Sequence, residues 1–488
     1  MSWAEVYQGV PPVGVTVGRL GQARRAIPQF SWRLTLAPYS FRRRPTVSPR
    51  PARWRVPLNR DIKSEIKYMN ITSLGEARLP SPVGYAVSDE AKIPFDIVRD
   101  PAVTAGDEVL FELAGPRAKL FFDPKRTCAG IVTCGGLCPG LNNVIRSLFF
   151  ELNRTYGVAE VWGFRGGYRG LDPAQGPEPI LLTRDLVDPI HHHGGTILGT
   201  SRGPVDMAAA VNNLVQRNVN ILFTIGGDGT QRGGNHLFQE SKKRGHALSV
   251  VGIPKTIDND VAYVERTFGY LTAVEQAVKV LDCAHTEARS VHNGVALVKL
   301  MGRHAGFIAA GAALANHDVN FALIPEVPFK LEGKNGFLPT LKRRILERAH
   351  AVAVVAEGAG QELFKNAGTE RDPSGNIKLK DIGLYLRQEI EQYFEKAGIP
   401  IHMRYFDPSY IVRSSPANAA DAVLCDFYAR NAVHAAMAGK TGLVIGLLHD
   451  SYIHVPIEML VSNKKNIEPD STWWKAVLAA TGQPARFE

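Results

Sequence analysis

Asn220-Ile221-Leu222-Phe223-Thr224-Ile225-Gly226-Gly227-Asp228-Gly229-Thr230 runs from an apolar stretch straight into glycines that flank one acid. Such a run, closed by a turn signal, predicts a strand buried on both faces, and therefore a sheet with helices on each side. The same reading predicts strands at 129–133, 158–164, 248–253, 295–300, 321–324, 351–356 and 443–447. Helices are predicted over 141–155, 271–289, 336–348, 381–397 and 417–438. This alternation is the sign of parallel βαβ units, so the fold class is α/β. The span from 127 to 488 exceeds one comfortable core, and two Rossmann-like αβα lobes with a cleft between them are expected.

Outward from that body, the chain of 488 residues is 45% hydrophobic and 21% charged, which fits a globular protein and excludes disorder throughout. No apolar run reaches the roughly 18 residues of a transmembrane helix, so no membrane partner is expected. The net charge of +10 suggests nucleic acid until it is divided by region. Residues 1–60 carry eleven arginines and the single acid Glu5; the rest balances 46 basic against 46 acidic groups. A neutral body excludes a basic nucleic-acid binder. The segment 1–68 reads as a disordered basic leader, with an organelle transit peptide or upstream sequence before a start near Met69 as the alternatives. Residues 69–125 read as an N-terminal arm packed on the body. Five cysteines, few and odd in number, point to a reducing compartment, and with no SKL-type C-terminus the expected location is cytoplasmic. Cys128, Cys134 and Cys138 lack a CxxC pair and a fourth ligand, so zinc is not expected.

Three strands end in unusual loops. Thr133-Cys134-Gly135-Gly136-Leu137-Cys138-Pro139-Gly140 precedes a helix, and its glycines let backbone N–H groups approach an anion. In Gly226-Gly227-Asp228-Gly229-Thr230 a carboxylate among glycines suits a divalent cation on a phosphate chain; the bland alternative is a tight turn. Pro254-Lys255-Thr256-Ile257-Asp258-Asn259-Asp260 sets two carboxylates at i and i+2 beside a hydroxyl and a lysine, which suits activation of a substrate hydroxyl.

At these residues the chain resembles the 6-phosphofructokinases. GGDGT at 226–230 and PKTIDND at 254–260 are followed in family order by KLMGRHAGFIA at 299–309, VAEGAGQ at 355–361 and DPSYIVR at 407–413, with GGTILGTSRGP at 194–204 before them. The likeness runs from about Thr127 to about Leu460 and is nearest to the long branch that includes plant and protist ATP-dependent enzymes. It implies transfer of the γ-phosphoryl group of ATP to the 1-hydroxyl of fructose 6-phosphate, with Mg²⁺ as cofactor. By motif, Asp258 is implied as the general base and Asp228 as the metal-side carboxylate. Arg202 and Arg303 would supply positive charge to the transferring group. Gly136, Arg202, Gly203, Gly227, Asp228, Gly229, Thr230 and Lys255 would border the nucleotide. Thr256, Ile257, Met301, Gly302, Arg303 and Glu357 would position the sugar, and Arg404, Tyr410 and Arg413 would hold its 6-phosphate. The expected division gives 126–268 with 414–463 to a nucleotide-binding lobe and 269–413 with 464–488 to a sugar-phosphate lobe. Family members are commonly homo-oligomers, tetramers or dimers, with sites shared across subunits.

The pattern departs from short bacterial members, which have His where Tyr410 stands and a neighbouring subunit's Arg where this chain has Gly294. Lys255 is the residue of pyrophosphate-using relatives, whereas Gly229 is that of ATP users, since Asp at 229 would put charge where the nucleotide's inner phosphate runs. The alternatives are a pyrophosphate-dependent enzyme and a non-catalytic regulatory subunit of the same fold. A dinucleotide oxidoreductase would need GxGxxG after the first strand, which GGLCPG does not supply.

Overall fold

Thirteen strands, labelled in chain order, build the two sheets that carry the body: β1 (Lys92–Pro94), β2 (Leu110–Leu113), β3 (Cys128–Thr133), β4 (Glu160–Phe164), β5 (Ile180–Leu181), β6 (Ile221–Gly226), β7 (Ser249–Pro254), β8 (Gly294–Leu300), β9 (Phe321–Leu323), β10 (His350–Ala356), β11 (His402–Phe406), β12 (Leu443–Leu448) and β13 (Ser451–Pro456). The computed structural model describes residues 70–97, 109–364, 370–371 and 377–488, and the leader expected at 1–68 lies outside them. Nine strands form one sheet in the order β1-β2-β13-β12-β7-β6-β3-β4-β5, and four form another in the order β9-β10-β8-β11. The centre of the first sheet is parallel, while β13, β2 and β1 at one edge and β5 at the other run antiparallel. The second sheet is parallel throughout.

Period-two alternation explains the layers. In β6, Ile221, Phe223 and Ile225 face a cluster shared with the helices Leu141–Phe150 and Ala419–Met437, whereas Leu222 faces another under the helices Met207–Gln216 and Asp228–Lys243. In β8, Ala296, Val298 and Leu300 join the first cluster, and Val295 and Leu297 face the helices Phe337–Arg348 and Ile382–Lys396. The two sheets therefore turn their inner faces to one continuous hydrophobic cluster, through the helices Tyr270–Arg289 and Phe307–Asn316. That shared core was not foreseen from the two α/β runs. The arm does more than pack on the body: β1 and β2 extend the large sheet through β13. No described helix is long and apolar enough to cross a membrane.

Candidate active site

Because β3, β6 and β7 are parallel neighbours, with Thr133 opposite Ile225 and Gly226 opposite Pro254, their three loops leave the same edge of the sheet. Here the strand order switches direction, β4 lying on one side of β3 and β6 on the other, and such a point opens a crevice for ligands. After β3 the chain passes through Gly135 (φ +84°) to Gly140 (φ +100°), where a Cβ would lie 2.6 Å from Cys425 Sγ. Gly136 offers its carbonyl to Lys255 Nζ at 2.7 Å, and its missing Cβ leaves room for the Arg202 guanidinium, 3.4 Å away. Gly203 (φ +112°) is exposed beside Arg202. Lys255 is buried, and burial pushes its ammonium pKa down against the opposing pull of Cys138, Cys134 and Asp258.

The second stretch is not the free loop expected from its glycines. Strand β6 runs to Gly226 and the helix Asp228–Lys243 starts two residues later, so Gly227 alone connects them. Asp228 thus stands in the first helical turn, where unpaired N–H groups and the helix dipole favour anions. Burial, then the nearby charge of Asp260, pushes its carboxyl up to about 6, with Lys464 and Arg232 pulling the other way. Gly226 is obligatory, since a Cβ there would meet Thr230 Oγ1 at 2.1 Å. Thr230 is buried, and its carbonyl accepts from Tyr168 Oη at 2.5 Å. Gly229 is exposed, with nothing within 4 Å of the position a Cβ would take.

The third stretch is braced by its own side chains. Thr256 Oγ1 donates to Asp260 Oδ1 at 2.9 Å and accepts from the Asp258 N–H at 3.1 Å. Ile257 turns its side chain into the core, so only its backbone faces the crevice edge. Asn259 (φ +55°) accepts from Thr267 N at 2.9 Å and donates to Glu265 O at 3.2 Å. Asp258 is left facing the second sheet: its Oδ2 accepts from the Arg303 backbone N–H at 3.3 Å. Its Oδ1 is buried and has no hydrogen-bond partner among the described residues. Burial, then the charges of Asp260 and Glu357, holds the Asp258 carboxyl well above the ordinary 3.8, against the Arg303 N–H and Lys255.

On the other side, β8 is followed by half-buried Met301 and by Gly302 (φ +130°), where a Cβ would lie 2.7 Å from Ala305 O. The loop after β10 docks there, Glu357 N donating to Leu300 O at 2.9 Å and Gly358 N to Gly302 O at 3.0 Å. Arg303 sends its guanidinium to Ile377 O and lies within electrostatic range of Glu357. Burial raises the Glu357 carboxyl; Arg303, Lys299 and Arg413 oppose this, and Asp407 adds to it. Arg413 sits over the Tyr410 ring at 4.6 Å, and Tyr410 itself is 74% exposed. Arg404 is not brought to this group. Opposite Ala296 on β11, it faces the helix Tyr270–Arg289 and pairs with Glu287 at 3.3 Å.

A profile of the Phosphofructokinase family matches residues 128–436. The chain belongs to the phosphofructokinase family. A protein from Borreliella burgdorferi named ATP-dependent 6-phosphofructokinase is 47% identical over 441 residues, covering 87% of this chain and 98% of that one. ATP-dependent 6-phosphofructokinase 7 of Arabidopsis thaliana is 45% identical over 379 residues, 77% of this chain and 78% of that one, in keeping with the plant-like resemblance read from the motifs. A solved pyrophosphate-dependent phosphofructokinase from Marinobacter aquaeolei shares the fold with a TM-score of 0.61 at 19% identity, covering 74% of this chain and 93% of that one.

Within this phosphofructokinase crevice no three His, Cys, Asp or Glu side chains among the described residues are grouped as a metal cage. Asp228 and Asp260 lie within electrostatic range of each other, and a carboxylate pair of that kind fits a small divalent cation that takes one or two carboxylates and completes its shell from water and phosphate. Two residues escaped the motif reading. Gln231 is 0% exposed, and its Nε2 donates to Gly226 O at 2.9 Å and Ile253 O at 3.2 Å, tying the ends of β6 and β7 together. Lys464, some two hundred residues further on, lies within electrostatic range of both Asp228 and His304. Gln231 sits three positions after Asp228, but a polar residue in a glycine-rich stretch gives no periodic signal.

Proposed function

We propose that this chain transfers the γ-phosphoryl group of ATP to the 1-hydroxyl of fructose 6-phosphate, giving fructose 1,6-bisphosphate and ADP. The observation that carries the reading is Asp258, whose one unpaired buried oxygen stands where loops from both sheets meet. Its raised proton affinity suits it to take the proton of the sugar's 1-hydroxyl as that oxygen attacks. Gly136, Gly203, Gly227, Gly229 and Thr230 border the donor's phosphates, with the Asp228 helix turning its N-terminus toward them. Arg202 adds charge to the donor, while Lys255, spent on the Gly136 carbonyl, fixes the loop. Arg303 and Arg413 with Glu357 flank the sugar, and Tyr410 borders its 6-phosphate. Arg303 would turn from Ile377 to the transferring group when the ligands enter.

Mg²⁺ would be held by Asp228, where it neutralises phosphate charge during transfer. Open space at Gly229 favours a nucleotide donor, because the protein's own packing does not demand glycine there. A cytoplasmic setting accords with the unpaired cysteines. A homo-oligomer, tetramer or dimer, accords with Ile411, Val423 and Phe427 exposed on successive helices. The test is purified protein with fructose 6-phosphate, Mg²⁺ and either ATP or pyrophosphate. Turnover with ATP and not with pyrophosphate is expected; turnover with pyrophosphate alone would reassign the donor, and none with either would favour a regulatory subunit.

A further inference from the structure

Lys299 is the penultimate residue of β8, and strand alternation sends its side chain to the face opposite Val298 and Leu300, under the helix Ile382–Lys396. It is 12% exposed, and its Nζ lies 2.8 Å from Asp381 Oδ2 and 2.8 Å from Asp407 Oδ2. Each carboxylate is bound to a further segment. Asp381 caps the helix Ile382–Lys396, accepting from Leu384 N at 3.1 Å. Asp407 accepts from Ser409 N at 3.3 Å and from Ser409 Oγ, at the start of the short helix Ser409–Ser414 that carries Tyr410 and Arg413. The Glu357 loop joins the same knot, since Gln361 Nε2 donates to Glu357 O at 2.9 Å and to Lys380 O at 3.1 Å.

Resting on the reading of the site above, we propose that Lys299 is a positioning residue for the sugar phosphate, acting through Asp407 and Asp381 on the segments that bear Arg413 and Glu357. The physical reason is charge. Asp381, Asp407 and Glu357 crowd together at the end of the small sheet, and the half-buried Lys299 ammonium, touching two of them, keeps the loops from springing apart. The described hydrogen bonds and ion pairs of Lys299 go to these acids and not to the loops after β3, β6 or β7, so its influence belongs to the sugar side. A misplacement of about 1 Å at such a support is worth up to roughly a hundredfold in rate.

The test is steady-state kinetics of full-length Lys299→Met with ATP, Mg²⁺ and fructose 6-phosphate, beside the unaltered chain and Lys299→Arg. We expect KM for fructose 6-phosphate to rise roughly ten- to a hundredfold. KM for ATP should stay within about twofold, kcat should fall less than KM rises, and Lys299→Arg should recover part of the loss. Asp407→Asn, which keeps the Lys299–Asp381 pair, serves as the second variant should Lys299→Met fail to fold, and the same selective rise is expected. An unchanged sugar KM in the folded variants overturns the proposal, as does an equal loss toward both substrates, which would mark a general structural role. An unaltered chain without turnover overturns the functional reading itself and takes the proposal with it.

Discussion

At the scale of single residues, chemistry turns on how strongly one carboxylate wants a proton. Burial of the Asp258 carboxyl, and then the charges of Asp260 and Glu357, holds its proton affinity above the ordinary range. A base must be ionised to act, and a raised pKa moves the pH at which it ionises upward. The acid limb of kcat/KM should therefore lie above the 3.8 of a free aspartate, activity rising with pH; Asp228, pushed up to about 6, acts in the same direction. Asp258→Asn should lower kcat by about 10²- to 10⁴-fold while the thermal midpoint holds, as read by stopped assays and a melt. Near-normal kcat would remove Asp258 from the chemistry. At Gly229 the space around the missing Cβ is open, so Gly229→Asp should fold normally. It should nevertheless cut kcat/KM for ATP by roughly tenfold or more, about 1.4 kcal/mol, because the added charge faces the incoming phosphates. A variant as fast as the parent would show that the donor path lies elsewhere.

At the scale of elements, the strands were legible and several helices were not, for separate physical reasons. Runs such as Ile221–Gly226 and Ser249–Pro254 are buried at every position, and an apolar run of that length has few other places in an α/β protein. The helix Asp228–Lys243 was read as a loop followed by nothing, because Gly229, Gly233 and Gly234 depress local propensity and its apolar face shrinks to Leu237 and Phe238. The helix Phe307–Asn316 was missed for the opposite cause: small residues packed on all sides leave no polar face to set a period. The strand β11 is half-exposed, and its alternation of His402 and Arg404 with Met403 and Tyr405 is too short to stand out. The motifs placed Asp258, Asp228 and Glu357 near one another, but Arg404's turn toward Glu287 depends on pleat parity, and Lys299's knot on two distant acids; neither is written locally. One element junction yields a direct test. In Gly226→Ala the new Cβ would collide with Thr230 in the first turn of the following helix, so strand and helix must part. Stability should fall by about 1–3 kcal/mol and kcat/KM for ATP should fall with it, by melt and by kinetics. An unshifted midpoint would mean that the junction yields freely.

At the scale of the whole molecule, the N-terminal arm reaches the active site through packing rather than through a catalytic side chain. Phe95 packs edge-on against the Tyr263 ring at 5.5 Å and Phe111 tilted against it at 5.2 Å, and Tyr263 lies in the segment that leads on from Asp258. His449 Nε2 donates to Phe95 O at 3.0 Å while its backbone N–H binds Glu265, whose carbonyl in turn holds Asn259. What clasps the arm is Glu112 on β2, buried opposite His454 and bonded at 2.7 Å to Arg117 and Lys440. Burial alone would raise the Glu112 carboxyl, but the hydrogen bond from His454 and then the Lys440 ammonium outweigh it, and the net shift is well below 4.5. A depressed acid gives stability that is complete above its unfolded value and is lost as pH falls through the folded one. Neutral, buried His454, also depressed, adds a loss in the same direction that starts below 6.5. Glu112→Gln takes from Arg117 and Lys440 the buried one of the two carboxylates they share, Asp89 remaining, and should cost about 1–3 kcal/mol at pH 7. Its midpoint should fall less than the parent's as pH drops below 4.5, the range in which the Glu112 carboxylate titrates, because that clasp is already gone. Hydrogen exchange should show residues 110–113 opening first and residues 255–267 loosening with them, and kcat should drop although Glu112 touches no substrate. Parallel pH slopes in parent and variant, or exchange confined to the arm with kcat intact, would show that the arm and the Asp258 segment are not mechanically joined.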